Sequence, residues 1–372
     1  MDPNRNNKNK RERFHSYYDY SLLFIIIFMV GFGLVMLYST SSYNAQVKFN
    51  NPNYYVTKQA FASALGFVVM LIVSRIDYHF WEHFVIPAYL LSIVLIVLVY
   101  LTGESYNGSQ RWLRLGPLSF QTSEFVKVAM ILVFAYLVSR VSVKKMSKLS
   151  TVFLLVLLAV PPVALVAGTN LSTAIIIMGI VIMMIFVASP KYMQFILMGG
   201  IAVVFMGAFL FLESYRLDRL KVWLHSEDYD NGFQTMQALY AIGSGDIFGK
   251  GLGKSIQKLG FVPEAQNDMI FSIICEEMGA AGAILLIFLF AMLLWRLGVA
   301  AMHAKDLAGA LICCGIMGHL ALQVILNIAV VTNTIPNTGI TLPFISYGGT
   351  SAVFLLGEMG LAMNVGKCDR IN

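Results

Sequence analysis

Apolar runs of about twenty residues recur along the whole chain, and short polar stretches that contain most of the charged residues separate them. A helix of about twenty apolar residues crosses a hydrocarbon core of roughly 30 Å. The pattern predicts ten spans, at 20–39, 59–75, 84–102, 122–139, 151–168, 172–188, 193–212, 269–295, 307–331 and 350–366. All ten are predicted to be helices, because a helix satisfies its own backbone polar groups in lipid and the alternation typical of a membrane β-barrel is absent.

The composition agrees with this pattern and excludes a soluble domain. Of the 372 residues, 58% are hydrophobic and only 12% are charged, and the mean hydropathy is +0.73. We therefore predict an all-α polytopic membrane protein. A basic tail at 1–19 precedes a single ten-helix membrane domain at 20–366, whose large outer loop is 213–268, and a short tail follows at 367–372. The first apolar run is too long for a signal peptide and is interpreted as a retained anchor.

The distribution of Lys and Arg predicts the orientation. Fifteen of these residues fall on the side of the two termini, against four in the short loops of the other side, which are Lys48, Lys58, Arg111 and Arg114. Basic residues concentrate in cytoplasmic loops, so both termini are predicted to be cytoplasmic. The net charge of +6 is then a topology signal that also favours anionic lipid, and nucleic-acid binding is not indicated. The four cysteines lie in spans or in the C-terminal tail, which excludes an outer disulfide framework, and no metal-ligand spacing is present.

The long segment 213–268 contains the first candidate chemistry. As a whole it is too polar to be embedded in lipid, and it combines repeated glycines with Lys250, Lys254 and Lys258. Backbone amides at glycines and lysine ammonium groups suit a diphosphate ligand, whereas a flexible loop with solvated charges is the simpler alternative. The Asp228-Tyr229-Asp230 pattern resembles a metal-binding motif of sugar-nucleotide enzymes, but such spacing arises easily by chance in an acidic turn.

The stretch GFVPEAQNDMIFSIICEEMGAAG, residues 260–282, places carboxylates at the start of the eighth span and inside it. Asp268 is in a position to cap that helix, which is the structural explanation, or to act as a catalytic group. Small residues at helical spacing, Ser272, Cys275, Gly279 and Gly282, fall on its side of the helix and suit close packing. Glu276 and Glu277 point in different directions and are not expected to serve one site in the same way.

Ionisable residues also occur in two other spans. Glu124 and Lys127 are three residues apart, so they are predicted to be neighbours on one helix face, either as a self-neutralising pair or as a functional site. Arg111 and Trp112 precede this span, where Trp112 suits the interfacial belt and Arg111 could hold a phosphate. Glu358 in the tenth span requires a partner that the sequence does not identify.

Three long motifs, in this order, resemble those of the SEDS family, which includes FtsW, RodA and SpoVE. They are NGSQRWLRLGPLSFQTSEFVK, GSGDIFGKGLGKSIQKLGFVPEAQNDMIFSIICEEMG and NTGITLPFISYGGTS. Two departures, Gln266 where many members have His and Asn170 where many have Asp, resemble the FtsW and SpoVE branch rather than RodA. A proton relay through a histidine at position 266 cannot apply to this chain.

The resemblance implies a peptidoglycan glycosyltransferase of the bacterial cytoplasmic membrane that polymerises lipid II at the outer face, with a class B penicillin-binding protein and other division proteins as partners. It implies that Asp268 is catalytic and that Glu124, Lys127, Arg111, Trp112, Lys254 and Glu264 match the family's motifs. A cell-division, sporulation or elongation role remains open. The alternatives are a lipid-precursor transporter (a flippase) and a non-catalytic division scaffold.

The expected chemistry is one inverting displacement, since an α-linked donor would become a β-1,4 glycan. It requires a carboxylate that takes a proton from the acceptor hydroxyl, a role expected for Asp268. Arg111, Lys250 and Lys254 are candidates to stabilise the departing diphosphate, and a divalent cation, Mg or Mn, could assist them.

Overall fold

The computed structural model describes residues 15–17, 19–106, 109–115, 118–196, 199, 223–224 and 232–370. Most of the predicted seventh span at 193–212, and the Asp228-Tyr229-Asp230 pattern, therefore lie outside the described residues. Within the described residues the architecture is helical, as predicted. The main helices are α1 (Tyr20–Phe49), α2 (Tyr54–Arg75), α3 (Tyr78–Glu82), α4 (Val85–Thr102), α5 (Thr122–Ser139), α6 (Val143–Met146), α7 (Leu149–Thr169), α8 (Leu171–Ala188), α9 (Phe233–Gly243), α10 (Ile270–Met302), α11 (Leu307–Val331) and α12 (Gly349–Val365).

Nine of the ten predicted spans fall on these helices, with ends that differ by up to ten residues. Eight of the helices are long and apolar enough to cross a membrane. The ninth, α12, has 17 residues, which is the lower limit for a span. The helices α5 and α11 are the most enclosed, and α4 faces outward over most of its length. The chain is therefore a multi-pass membrane protein with α5 and α11 at the centre of the bundle.

Five short strands were not expected from the apolar pattern. β1 (His15–Tyr17) pairs antiparallel with β5 (Cys368–Arg370), so the two ends of the described chain meet at one end of the bundle. β2 (Glu104–Tyr106), β3 (Ser109–Leu115) and β4 (Leu118–Gln121) form an antiparallel sheet at the opposite end. Apolar residues alternate with polar ones in RWLRL, and Gly116-Pro117 follows, which together are typical of a hairpin.

The helix α10 is interrupted at Gly279, whose backbone has φ 68° and ψ −166°. The interruption would leave unpaired carbonyl groups before it and unpaired N–H groups after it. A loop fills both needs: the N–H groups of Lys250 and Gly251 donate to the carbonyls of Glu276 and Glu277, and those of Ala280 and Ala281 donate to the carbonyls of Asp246 and Ile247, all at 2.9–3.0 Å. A broken helix inside a membrane protein is stable only when its backbone is satisfied in this way.

Candidate active site

Asp268 lies immediately before α10, at the end of the bundle opposite the two termini, and is 8% exposed. The helix itself begins at Ile270 with Met269 in the N-cap position, where no side-chain cap hydrogen bond forms. The N-cap position is therefore one residue later than the sequence suggested, and the Asp268 carboxylate precedes it.

Three residues fix the backbone that carries Asp268. The Asn327 side chain on α11 donates through Nδ2 to the Asp268 carbonyl at 2.8 Å and to the Ile340 carbonyl at 2.6 Å. The Ser346 hydroxyl donates to the Asn267 carbonyl at 2.6 Å. The Tyr347 N–H donates to the Gln266 carbonyl at 2.9 Å.

These contacts bring two of the three motifs together, since Gln266, Asn267 and Asp268 belong to one and Ile340, Ser346 and Tyr347 to another. Gln266 accepts a further hydrogen bond from Asn44 on α1 at 3.4 Å. The acid thus stands on a backbone that is held by separate parts of the chain. A rigid support of this kind is what a catalytic group requires, because small displacements cost much of its effect.

Tyr347 also connects this segment to α2. Its ring meets Tyr55 on α2 edge to face, with 4.9 Å between the ring centroids. Burial and the neighbouring Tyr54 and Tyr55 raise the pKa of Tyr347 to about 12. The phenol therefore stays protonated and remains a hydrogen-bond donor throughout the physiological pH range.

The loop before Asp268 carries two lysines that bind glutamates inside α10. Lys250 Nζ lies 2.7 Å from Glu276 Oε1, and Lys258 Nζ lies 2.7 Å from Glu277 Oε1. Both carboxylates are fully buried. The two glutamates were expected not to serve one site in the same way, and in the structure each binds a lysine of its own.

Each glutamate also receives hydrogen bonds from neutral groups. Ser255 donates through its hydroxyl to Glu276, and the Ile256 N–H donates to the same carboxylate at 3.2 Å. Ser39 on α1 donates to Glu277 at 2.7 and 2.6 Å to its two oxygens. The ionic cluster therefore joins the loop to α10 and α1. Lys258 and Ser39 were not identified as partners from the sequence, because the pairing depends on how the loop folds.

The candidate phosphate ligands fall into different environments. Lys250 is ion-paired, although 34% of its side chain is exposed. Lys254 is exposed on the loop surface. Trp112 is half-buried in β3, between Glu104 of β2 and Gln121 of β4. The backbone of Arg111 adjoins it in the same strand, and its side chain lies outside the described part of the structure.

Glu264 lies four residues before Asp268 and is half-buried. Its φ of 52° places it in the left-handed region, and its carboxylate accepts a hydrogen bond from the Asn267 side chain. In the described residues no group of three or more His, Cys, Asp or Glu side chains is placed to hold a metal ion. The acids near Asp268 thus do not form a three-ligand cation site, and we assign no step to a metal.

Glu124 and Lys127 form the predicted pair on α5, with 2.9 Å between Oε1 and Nζ and side chains only 6% and 3% exposed. The Lys127 ammonium also donates to Gln323 on α11 at 3.3 Å. His319 contacts Gln323 at 2.8 Å and, through Nδ1, the Glu358 carboxylate on α12 at 2.9 Å. One buried polar chain therefore links α5, α11 and α12.

This polar chain supplies the partner of Glu358 that the sequence did not identify. The i,i+4 spacing of His319 and Gln323 within an apolar span was the available signal. The pairing across helices could not be inferred from it.

The fold and site define a class: a multi-pass helical membrane protein with a supported buried acid at one end of the bundle and internal ion pairs beneath it. The profile of the FtsW, RodA and SpoVE family of cell cycle proteins matches residues 20–371, and the chain belongs to this family.

Two curated relatives illustrate the similarity. The chain is 36% identical over 358 residues to stage V sporulation protein E of Bacillus subtilis (strain 168), covering 95% of this chain and 98% of that protein. It is 35% identical over 353 residues to a probable peptidoglycan glycosyltransferase FtsW of Geobacter sp. (strain M18), covering 94% and 96%.

Solved structures agree. A chain from a study of structural coordination of polymerization and crosslinking by a peptidoglycan synthase complex matches with a TM-score of 0.80 at 26% identity, covering 94% of this chain and 97% of the other. The rod shape determining protein RodA of Thermus thermophilus matches with a TM-score of 0.68 at 27% identity, covering 94% and 96%. The resemblance identified from the motifs is thereby confirmed.

Proposed function

We propose that this chain is a peptidoglycan glycosyltransferase that polymerises lipid II into β-1,4 glycan strands. The observation that carries the proposal is Asp268, a nearly buried carboxylate on a backbone held by Asn327, Ser346 and Tyr347. Relatives that align over almost the whole chain are named as probable peptidoglycan glycosyltransferases, which supports the same activity.

Asp268 acts as the general base in this proposal. It accepts the proton of the acceptor sugar hydroxyl while that oxygen attacks the anomeric carbon of the donor, and the polyprenyl diphosphate leaves from the opposite face. Such a positioned base contributes roughly 10²–10⁴-fold to the rate. A single displacement inverts an α linkage to a β linkage, so no covalent intermediate on the protein is required.

Binding of the diphosphate falls to cations near the mouth of the site. Lys254 is exposed and available, and Arg111 is carried on the strand beside Trp112. Lys250 already neutralises Glu276, so we assign it a smaller share of the phosphate charge. Glu264 flanks the general base, and the buried Glu124–Lys127 pair supports the site from within the bundle rather than touching the reacting atoms.

We place the Asp268 end of the bundle at the outer face of the bacterial cytoplasmic membrane and both termini in the cytoplasm. The excess of Lys and Arg on the side of the termini supports this orientation.

A class B penicillin-binding protein is the proposed partner, and other division proteins would join it. Support comes from the similar solved chain, which belongs to a peptidoglycan synthase complex that coordinates polymerization and crosslinking. Sequence similarity to a sporulation protein and to FtsW favours a role in division or sporulation.

The test is glycan polymerisation by the purified complex with its class B penicillin-binding protein, whose transpeptidase site is blocked, on labelled lipid II. Asp268→Asn removes the base and is expected to abolish long glycan. Asp246→Asn, at an exposed acid on the same loop, is the matched control and should polymerise as the wild type does.

Equal polymer from wild type and Asp268→Asn would refute the base assignment. No polymer from the wild type in several lipids and with Mg or Mn, combined with movement of lipid II between leaflets, would instead favour the transporter. Intact binding of the partner by every variant controls for misfolding.

A further inference from the structure

Several side chains of the loop at 245–261 are inverted relative to a loop in water, although Asp246 and Lys254 stay exposed. Lys258 and Ser255 are 5% and 3% exposed and point inward to Glu277 and Glu276. The large apolar side chains point outward: the exposed fractions are 64% for Ile247, 83% for Phe248, 59% for Leu252, 55% for Ile256, 44% for Leu259 and 49% for Phe261. An apolar surface of this extent needs a non-aqueous neighbour.

Two contacts between α1 and α10 indicate the depth of this loop along the membrane normal. At the termini end, Arg296 on α10 binds Asp19, the residue before α1. At the other end, Glu277 on α10 binds Ser39 on α1. Twenty residues separate Asp19 from Ser39 and nineteen separate Glu277 from Arg296, which corresponds to about 30 and 28 Å of helix.

Both lengths match the hydrocarbon core of roughly 30 Å. Trp295, beside Arg296, is 63% exposed, as expected for a residue at the membrane interface. The Ser39–Glu277 contact therefore marks the opposite boundary of the hydrocarbon.

The loop pairs with α10 at and inside this boundary. The Ala281 N–H donates to the Ile247 carbonyl, and Ala281 is four residues further into the membrane than Glu277. At 1.5 Å per residue this places the backbone of Ile247 about 6 Å inside. Its side chain and that of Phe248 are thus continuous with the outward-facing residues of the same span, Ile284 and Phe288, which are 67% and 58% exposed.

We propose that the 245–261 loop is a membrane-interface element: Ile247 and Phe248 insert among lipid acyl chains, and Lys254, which the proposed function assigns to the substrate diphosphate, lies at the level of the head-group phosphates. The occupant of the apolar surface is membrane lipid rather than a protein. Continuity with the lipid-facing surface of α10 and the positive charge of Lys254 both support this choice. Only the assignment to the outer leaflet rests on the proposed orientation.

On this proposal, part of a segment that was expected to be too polar to be embedded in lipid does enter it. Composition counts its lysines and glycines, whereas the fold turns Lys258 inward and Phe248 outward. The loop leading to Asp268 is thereby held at the depth where a lipid head group meets water.

The test is the accessibility of a nitroxide at position 248 in the full-length protein, reconstituted in nanodiscs of phosphatidylglycerol and phosphatidylcholine. Phe248→Cys is made in a Cys368→Ser background, where Cys275, Cys313 and Cys314 remain buried and unlabelled. Ile284→Cys is the lipid-embedded control, and Asn51→Cys, at an exposed residue between α1 and α2, is the water control. Collision with oxygen, which concentrates in lipid, is compared with collision with a water-soluble nickel chelate.

The ratio of oxygen to nickel accessibility at position 248 is expected to resemble that at the lipid-embedded position 284 and to exceed that at the water-exposed position 51. A ratio equal to that at position 51 overturns the proposal, and shielding that arises only after the transpeptidase is added assigns the surface to a protein partner instead. Phe248→Trp gives a second measurement, because quenching by brominated lipid should exceed that of the native tryptophans alone. The absence of added quenching also overturns the proposal.

Discussion

Replacement of Gly279 by alanine tests whether the break in α10 is stabilised by backbone-to-backbone contact with the loop. The φ and ψ of Gly279 lie in a region that is essentially restricted to glycine, and an L-residue there costs about 1–3 kcal/mol. A Cβ at this position would lie 2.4 Å from the Gly249 nitrogen and 2.4 Å from the Ile247 oxygen. Those atoms belong to the backbone, so they cannot rotate away as a side chain would.

The alanine methyl group must therefore separate the loop from the helix. Four hydrogen bonds cross this contact, from the N–H groups of Lys250, Gly251, Ala280 and Ala281. Each contributes about 1 kcal/mol net, and more when a buried group is left unpaired. With the backbone strain, the expected loss for Gly279→Ala is on the order of 5 kcal/mol, which is a large part of the stability of most proteins.

Gly298→Ala is the matched control in the same helix. The nearest atom to its new Cβ is the Met317 sulfur at 3.9 Å, so the methyl group fits. Alanine is the better helix former by about 1 kcal/mol, so this variant is expected to be as stable as the wild type or slightly more stable. The assay is the free energy of unfolding of both variants in the same lipid and detergent mixture. If Gly279→Ala were as stable as Gly298→Ala, the described contact between loop and helix would be wrong.

Two further predictions concern ion pairs at opposite ends of the bundle. Lys258→Met leaves the buried Glu277 carboxylate without its cation and should reduce the free energy of unfolding by about 3–5 kcal/mol. The double variant with Glu277→Gln should recover most of that loss. If unfolding experiments showed no recovery, the two residues would not be coupled. His79 in the short helix α3 lies 2.6 Å from Asp77 and 2.8 Å from Asp306. Its hydrogen bond to Asp77, against an opposing effect of burial, raises the His79 pKa above 6.5. The contribution of the His79 ion pairs to stability is therefore complete below pH 6.5 and is lost as the pH rises through the raised pKa. The stability difference between wild type and His79→Gln, which is below about 1 kcal/mol for such exposed charges, should shrink from pH 6 to alkaline pH. A difference that grew with pH would contradict this assignment.

The spans could be predicted because hydrophobicity along a chain directly reflects the thickness of a membrane. The Glu124–Lys127 pair could be predicted for a similar reason, since residues three apart on a helix are always neighbours. Asp268 could be singled out as the candidate catalytic residue only through the resemblance to a family. From the local pattern alone it suggested a helix cap, and the structure moves the cap to Met269.

The loop and the polar chain could not be predicted, because both depend on contacts between distant parts of the sequence. Glycines at 249 and 279 are complementary in the fold, yet nothing in either local sequence indicates the other. The sequence around Lys250 suggested an anion site, whereas in the fold its ammonium group binds Glu276. Likewise His319 and Glu358 become partners only when α11 and α12 lie side by side.

The polar chain that links α5, α11 and α12 also bears on how the protein enters the membrane. Glu358 makes α12 a poor substrate for insertion by itself, since an ionisable residue at the centre of a helix costs on the order of 3 kcal/mol. Among the spans that the structure describes, α12 is also the shortest. Its carboxylate is matched only when His319 of the preceding span has arrived. The last helix is thus retained by its neighbours rather than by its own hydrophobicity, and a nascent chain with a misplaced α11 would release it to the translocation machinery and to membrane quality-control proteases.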